Sequence, residues 1–137
     1  MADHIESYVH NGIIGVLVQL ECADDITPRT KEFCALARDI AMHIAASKPI
    51  SISASEIPPD LRNRELEHYR FERYDEEERR IKMEGANSRI NRVYSLLEQP
   101  FVKKPDFTVS EIIAKVSKDL GDEIRVKRFT RWETDET

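Results

Sequence analysis

Two β-prone runs joined by an Asn-Gly turn constrain the fold of this chain more than any other feature. The runs, at 5–9 and 13–22, meet at His10-Asn11-Gly12. An Asn-Gly pair supplies the positive φ angles that a tight primed turn requires, so we predict a β-hairpin. Residues 15–20 are apolar at nearly every position, which predicts a central strand that is covered on both faces.

A helix is expected after the hairpin. Thr27 is a favourable N-cap and Pro28 suits the first helical position. Apolar residues then recur at steps of three and four before Ser47-Lys48-Pro49; they are Phe33, Leu36, Ala37, Ile40, Ala41 and Ile44. This stripe predicts a helix that packs in the core.

The stretch from 60 to 99 is rich in Glu and Arg, with opposite charges four residues apart, as at Asp75 and Arg79. Its first half has a thin apolar seam at Leu66, Tyr69 and Tyr74, and its end has a stripe at Ile90, Val93, Tyr94 and Leu97. A single long helix would leave the seam in water, so we expect a helical hairpin that projects from the domain with a solvated tip. Such a charged surface is often only solvated, but its length favours packing against a second copy or a partner.

The C-terminal part predicts one more helix and one more strand. Thr108 and Glu111 form a capping-box pattern, and Gly121 closes an amphipathic helix. In the strand, Phe129 has the opposite parity to Val126, and Trp132 returns to the parity of Val126, which indicates a bulge or apolar residues on both faces. The expected fold is α+β: a small antiparallel sheet covered by helices, in one domain over 1–137, with a protruding helical hairpin at about 60–99.

Composition argues against several classes of function. The chain has 137 residues and a net charge of −5, without the basic excess of a nucleic-acid binder. The longest apolar run, 13–18, is too short to span a bilayer, and the N-terminus lacks signal-peptide features, so we expect a soluble cytoplasmic protein. Cys22 and Cys34 lack zinc spacing, and we expect reduced, buried thiols. No catalytic motif and no metal-ligand pattern is present, so we expect no enzyme, no metal and no cofactor.

Three positions have both a structural and a functional interpretation. His43 lies in the apolar helix and is best explained as a hydrogen-bonded structural residue. His10 lies at an exposed turn tip, where a recognition role and no role are equally open. Asp24-Asp25 are explained by the helix N-terminus that follows them, but Ile26 is an apolar residue in a polar loop and could fill a pocket of a partner.

The chain resembles bacterial elongation factor Ts from about residue 8 to residue 132. Five segments carry the resemblance: Tyr8-Val9-His10-Asn11-Gly12, the run at 15–20, Asp39-Ile40-Ala41-Met42-His43-Ile44-Ala45-Ala46, Leu96-Leu97-Glu98-Gln99-Pro100-Phe101-Val102, and Val126-Lys127-Arg128-Phe129. The segments occur in the family's order and at nearly its spacing.

The resemblance implies a protein that binds elongation factor Tu and promotes GDP release without covalent catalysis. In the family, a Thr-Asp-Phe loop reaches the GTP-binding domain of elongation factor Tu, and the His-bearing turn touches its third domain. The partner-binding residues implied here are His10, Asn11, Gly12, Asp24, Asp25, Ile26 and Arg29, and we expect the turn tip and the loop to lie side by side. Short relatives dimerise through their sheets, so we also expect a homodimer.

Four departures from the family affect this expectation. The family begins with a three-helix domain, so this chain is either a fragment or a reduced relative. Ile26 replaces the aromatic residue, which reduces wedge strength by about 1 kcal/mol, or roughly fivefold in rate. Ile13 replaces an arginine of the hairpin motif, and the family's Gly-Lys-Pro turn in the helical protrusion is absent. Thr130 stands where some dimers have a cysteine, so a dimer would be noncovalent.

Three hypotheses remain open from the sequence. The first is an exchange factor for elongation factor Tu. The second is a dimeric module that binds elongation factor Tu without exchange activity, and Ile26 is the residue that separates the two. The third, an unrelated enzyme, would require turnover that is lost when His10 or Asp25 is mutated.

Overall fold

The structure, a computed structural model, describes residues 2–135 and contains nine helices and strands longer than a single turn or bridge within that range. In chain order they are β1 (Ala2–His10), β2 (Ile14–Cys22), α1 (Lys31–Ser47), α2 (Pro59–Phe71), α3 (Glu76–Tyr94), β3 (Pro100–Phe101), β4 (Lys104–Thr108), α4 (Val109–Leu120) and β5 (Arg125–Glu133). They form two compact units, one made of residues 2–48 and 100–135 and the other of residues 49–99. The fold is α+β, as expected.

The predicted β-hairpin is confirmed. β1 and β2 pair antiparallel from Ala2 opposite Cys22 to His10 opposite Ile14. The turn has φ of 52° at Asn11 and 68° at Gly12, and the Ile13 amide donates to the His10 carbonyl oxygen at 2.9 Å. Positive φ at two successive residues is the geometry that an Asn-Gly pair favours.

β2 is the central strand of the first sheet, whose order is β1-β2-β5. Its inner side chains are buried, namely Val16, Val18, Leu20 and Cys22, whereas Leu17 on the other face is 48% exposed. The prediction that both faces are covered is therefore wrong. An antiparallel sheet can bury one face against helices and leave the other in solvent, and here α1 packs against β1 and β2 on one side.

α1 buries the predicted apolar stripe, from Phe33 to Ile44. The predicted N-cap is wrong, because Thr27 begins a single 3-10 turn, Thr27–Arg29, and its side chain is buried. Thr30 caps the helix instead, since its hydroxyl accepts a hydrogen bond from the Phe33 amide at 3.1 Å. Lys48, with φ of 52°, ends the helix in the left-handed conformation.

The second unit contains the predicted helical hairpin, α2 and α3. Ile57, Leu66, Ala86 and Ile90 form its buried core. The predicted stripe at the end of α3 is partly wrong, because Val93 is 48% exposed. The residues that face α2 follow a spacing of four, as Ala86 and Ile90 do, and this spacing leaves Val93 beside the seam.

The C-terminal elements agree with the capping and bulge predictions. The Thr108 hydroxyl accepts from the Glu111 amide, and the Glu111 carboxylate accepts from the Thr108 amide. β5 pairs with β2, and the register shifts so that Lys127 is the extra residue between Val126 and Arg128. The two-stranded sheet of β3 and β4 was not predicted.

Candidate functional site

The loop between β2 and α1 is held by a carboxylate from the other end of the chain. Asp122 follows α4 and is buried. Its Oδ1 accepts from the Ala23 amide at 2.9 Å, and its Oδ2 accepts from the Asp24 amide at 3.0 Å and from the Thr27 hydroxyl at 2.7 Å. One side chain therefore fixes both ends of the segment 23–27.

These hydrogen bonds determine the charge at this site. The Thr27 hydroxyl, followed by the amides of Ala23 and Asp24, holds the pKa of Asp122 below its usual range, because each donor stabilises the charged form. Burial, together with the negative charge of Asp122, raises the pKa of the neighbouring Cys22 thiol. The loop is therefore anchored to a carboxylate while the adjacent thiol stays protonated, and the thiol points to the Asp24 carbonyl oxygen at 3.6 Å.

The same loop presents an apolar side chain to solvent. Ile26 is 68% exposed, although its amide donates to the Asp24 carboxylate at 2.9 Å. Asp25 and Arg29 are also exposed. The backbone at this point is fixed by hydrogen bonds while the Ile26 side chain remains available, which is the arrangement expected of a preformed contact residue.

The turn tip has its own set of local contacts. His10, Asn11 and Gly12 are exposed. The His10 ring stacks on Tyr8, its Nδ1 is 3.2 Å from the Tyr8 hydroxyl, and its Nε2 is 3.3 Å from the Asn11 amide nitrogen. Each ring nitrogen of His10 therefore has a side-chain partner from a neighbouring residue, Tyr8 on one side and Asn11 on the other. The imidazole is therefore held in one orientation at the tip.

The structure does not bring the two predicted segments together. The turn tip precedes Ile14 and the loop follows Cys22, so they lie at opposite ends of β2. Nine strand residues separate them by about 27 Å. The expectation that the tip and the loop lie side by side is therefore wrong, because a strand between two segments keeps them apart.

The remaining candidates have structural roles. His43 is completely buried, and its Nδ1 accepts from the Val102 amide at 3.1 Å. Both cysteines are free; Cys22 is buried as expected, whereas Cys34 is only partly buried and donates to the Pro28 carbonyl oxygen. Asp122 was not among the predicted site residues. An Asp that follows a helix-ending glycine is typical of a turn, so nothing local in the sequence indicates its contact with Thr27, 95 residues away.

Residues 2–135 contain neither a metal-ligand cluster nor a helix that could span a membrane. No cluster of three His, Cys, Asp or Glu side chains there has the arrangement of a metal site. No helix in the same range combines the length and apolar character needed to cross a bilayer.

Comparison with known proteins identifies the class of protein to which this chain belongs. The family described as elongation factor TS matches residues 1–136. Elongation factor Ts of Carboxydothermus hydrogenoformans is 36% identical over 137 residues, covering 96% of this chain and 63% of the relative. Elongation factor Ts of Heliobacterium modesticaldum is 38% identical, with 96% and 64% covered, and that of Koribacter versatilis is 38% identical, with 93% and 61% covered.

The chain therefore belongs to the elongation factor Ts family, a family of translation elongation factors. It spans just under two thirds of the length of these relatives.

Proposed function

We propose that this protein binds elongation factor Tu in the cytoplasm and promotes the release of GDP from it. Membership of the elongation factor Ts family is the main support. The observation in the structure that supports it most directly is Ile26, an exposed apolar side chain on a loop whose backbone is fixed by Asp122 and Asp24. No covalent step and no cofactor are part of the proposal.

Exchange of this kind follows from differential binding. A protein that binds the nucleotide-free state of a GTPase more tightly than the loaded state must weaken nucleotide binding by the same factor. A side chain that enters the nucleotide-binding domain only when the nucleotide leaves has this effect. Ile26 has the exposure and the fixed backbone for this role, and its flanking residues Asp25 and Arg29 supply polar contacts at the rim.

The separation of the two exposed segments fits a partner with several domains. The turn tip at His10 and the loop at Ile26 are about 27 Å apart along β2. A partner that contacts both must present two surfaces at that distance. In our proposal, the loop contacts the GTP-binding domain of elongation factor Tu and the turn tip contacts another domain, so that one end anchors the complex while the other acts on the nucleotide site.

Release of a fluorescent GDP analogue from purified elongation factor Tu tests the proposal. We expect wild-type protein to accelerate release, Ile26→Ala to reduce the acceleration about tenfold, and Ile26→Phe to increase it about fivefold, because the apolar area buried in the partner changes in that order. Val102→Ala is the matched control, since Val102 is an exposed aliphatic residue in the same unit. Equal release with and without the wild-type protein would contradict the proposal.

A second function, a module that binds elongation factor Tu without promoting exchange, is favoured by the same residue. Ile26 buries less area than an aromatic ring would, which weakens insertion more than it weakens docking at the turn tip. Co-elution of the two proteins with unchanged GDP release would identify this function.

We propose further that the protein is a homodimer joined through the outer face of the β1-β2-β5 sheet. That face carries four exposed apolar residues, namely Ile5, Val9, Leu17 and Trp132. Isolated exposed apolar side chains are common, but four on one sheet face form a patch of the kind that a second copy covers. Thr130 lies opposite Leu17 on this face, so the contact would be noncovalent.

A further inference from the structure

We infer that Asp122 is a positioning residue that presets the Asp25-Ile26 loop for its partner, an inference that rests on the proposed function. Asp122 belongs to the segment between α4 and β5, and the loop it holds lies between β2 and α1. The C-terminal part of the chain thus sets the conformation of a contact loop near its beginning.

The geometry of the contact requires a carboxylate. Three donors converge on its two oxygens: the amides of Ala23 and Asp24 and the hydroxyl of Thr27, at 2.9, 3.0 and 2.7 Å. Asparagine has one acceptor oxygen and one NH₂ group, so an Asn at 122 would leave one loop amide facing another donor. Asp is therefore required at 122 by the number of acceptor atoms.

The position of the contact explains its effect on Ile26. Asp122 bonds on both sides of Ile26, at Asp24 before it and at Thr27 after it. The Thr27 carbonyl oxygen also accepts from the Thr30 hydroxyl at 2.8 Å, which ties the loop to the start of α1. A mobile loop would lose conformational entropy when Ile26 enters a pocket of the partner. Because the backbone is already fixed, this entropic cost of binding is avoided.

Two pairs of variants test the inference. Asp122→Asn keeps the size of the side chain and removes an acceptor; Asp106→Asn, at an exposed position in the same unit, controls for the loss of a carboxylate. Thr27→Val removes only the hydroxyl, and Thr27→Ser retains it, so this pair serves if Asp122→Asn does not fold. Circular dichroism and thermal melting establish which variants are folded.

The first measurement is independent of elongation factor Tu. Hydrogen exchange of the Ala23 and Asp24 amides, followed by NMR, reports whether Asp122 holds the loop. We expect exchange at these amides to be about tenfold faster in Asp122→Asn than in wild type, and unchanged in Asp106→Asn. Unchanged protection in Asp122→Asn would overturn the inference.

The second measurement is the rate of GDP release from elongation factor Tu as a function of the concentration of this protein. A purely structural defect lowers the amount of folded protein and shifts the half-saturating concentration. Loss of positioning instead lowers the maximal rate, about tenfold, because the turn tip still docks.

An unchanged maximal rate in Asp122→Asn and Thr27→Val would overturn the positioning role. If wild-type protein itself does not accelerate release, the proposed function fails, while the amide exchange still decides whether Asp122 holds the loop.

Discussion

At the scale of single residues, the charged form of Asp122 is stabilised by hydrogen bonds from the loop, which replace those of water. A buried carboxylate loses water, and the loss is offset when several donors bond to it. Thr27 and the amides of Ala23 and Asp24 supply those donors. The carboxylate and the loop therefore depend on each other, and protonation of the Asp122 carboxylate should loosen the loop.

This dependence predicts how stability changes with pH. The pKa of Asp122 is lower in the folded protein than its ordinary value of 3.8, so below about that pH the unfolded chain binds more protons at this group. The contribution of Asp122 to the free energy of unfolding is complete above pH 3.8 and is lost as the pH falls through the lower folded-state pKa. Urea denaturation of wild type and Asp122→Asn from pH 7 down to pH 3 measures it.

We expect the difference in unfolding free energy between these two proteins to be constant near neutral pH and to narrow below pH 4. Of the nearby titratable groups, the Cys22 thiol has a raised pKa and stays protonated over this range, and the Asp24 carboxylate is present in both proteins. Asp106→Asn is the control for a lost surface charge. A difference that stays constant down to pH 3 would contradict the prediction.

The residues of the candidate site were predictable from the sequence to different degrees. Ile26 could be found because an apolar residue stands out in a polar loop, and His10 because an Asn-Gly turn exposes its neighbour. Asp122 could not be found, since two of its three partners are backbone amides, which any residue provides, and the third, the Thr27 hydroxyl, lies 95 residues away along the chain. The N-cap was predicted at Thr27 for a similar reason. Thr27 and Thr30 are equally suited to a cap, and the hydrogen bond of the Thr27 hydroxyl to Asp122 is not visible in the local sequence.

At the scale of elements, α1 begins with a cap that has two functions. The Thr30 hydroxyl accepts from the Phe33 amide at 3.1 Å and donates to the Thr27 carbonyl oxygen at 2.8 Å. The first contact satisfies a free amide at the helix N-terminus, and the second joins the helix to the candidate loop.

Removing this cap should cost measurable stability. We expect Thr30→Ala to lower the free energy of unfolding by about 1 kcal/mol, and Thr30→Ser, which retains the hydroxyl, to have a smaller effect. Chemical denaturation of the two variants and wild type gives the values. Equal stability of Thr30→Ala and wild type would show that the helix does not depend on this cap.

The helices and the first sheet were predictable because their signals are local. Apolar periodicity, the capping box at Thr108 and the Asn-Gly turn each act within a few residues. The sheet of β3 and β4 was missed because its strands have two and five residues, and the longer one is mostly polar. The outer face of β2 was misjudged because Leu17 extends an apolar run, and a run alone does not show which side faces helices.

At the scale of the whole molecule, the outer face of the β1-β2-β5 sheet has an organised polar and apolar pattern. Arg128 donates to the Gln19 side chain at 2.7 Å, and Gln19 donates to Asp3 at 2.9 Å, so that side-chain hydrogen bonds link all three strands. At another level, Val9 and Trp132 flank Gly15, which has no side chain. Here the polar side chains already have hydrogen-bond partners, and exposed apolar side chains lie beside them. A second copy can cover such a surface without burying unpaired donors.

The proposed dimer predicts a specific response of the only tryptophan, Trp132, which is 74% exposed in one protomer. If two copies pair through this sheet face, Trp132 emission should shift to shorter wavelength as protein concentration rises, and light scattering should give twice the protomer mass. Leu17→Glu should abolish both effects, because it places like charges near the centre of a two-fold contact. Val102→Glu, at an exposed position between β3 and β4 of the other sheet, should leave both unchanged. A monomeric mass for wild type at all concentrations would rule out the dimer, while the exchange proposal, which concerns the turn tip and the Ile26 loop, would still stand.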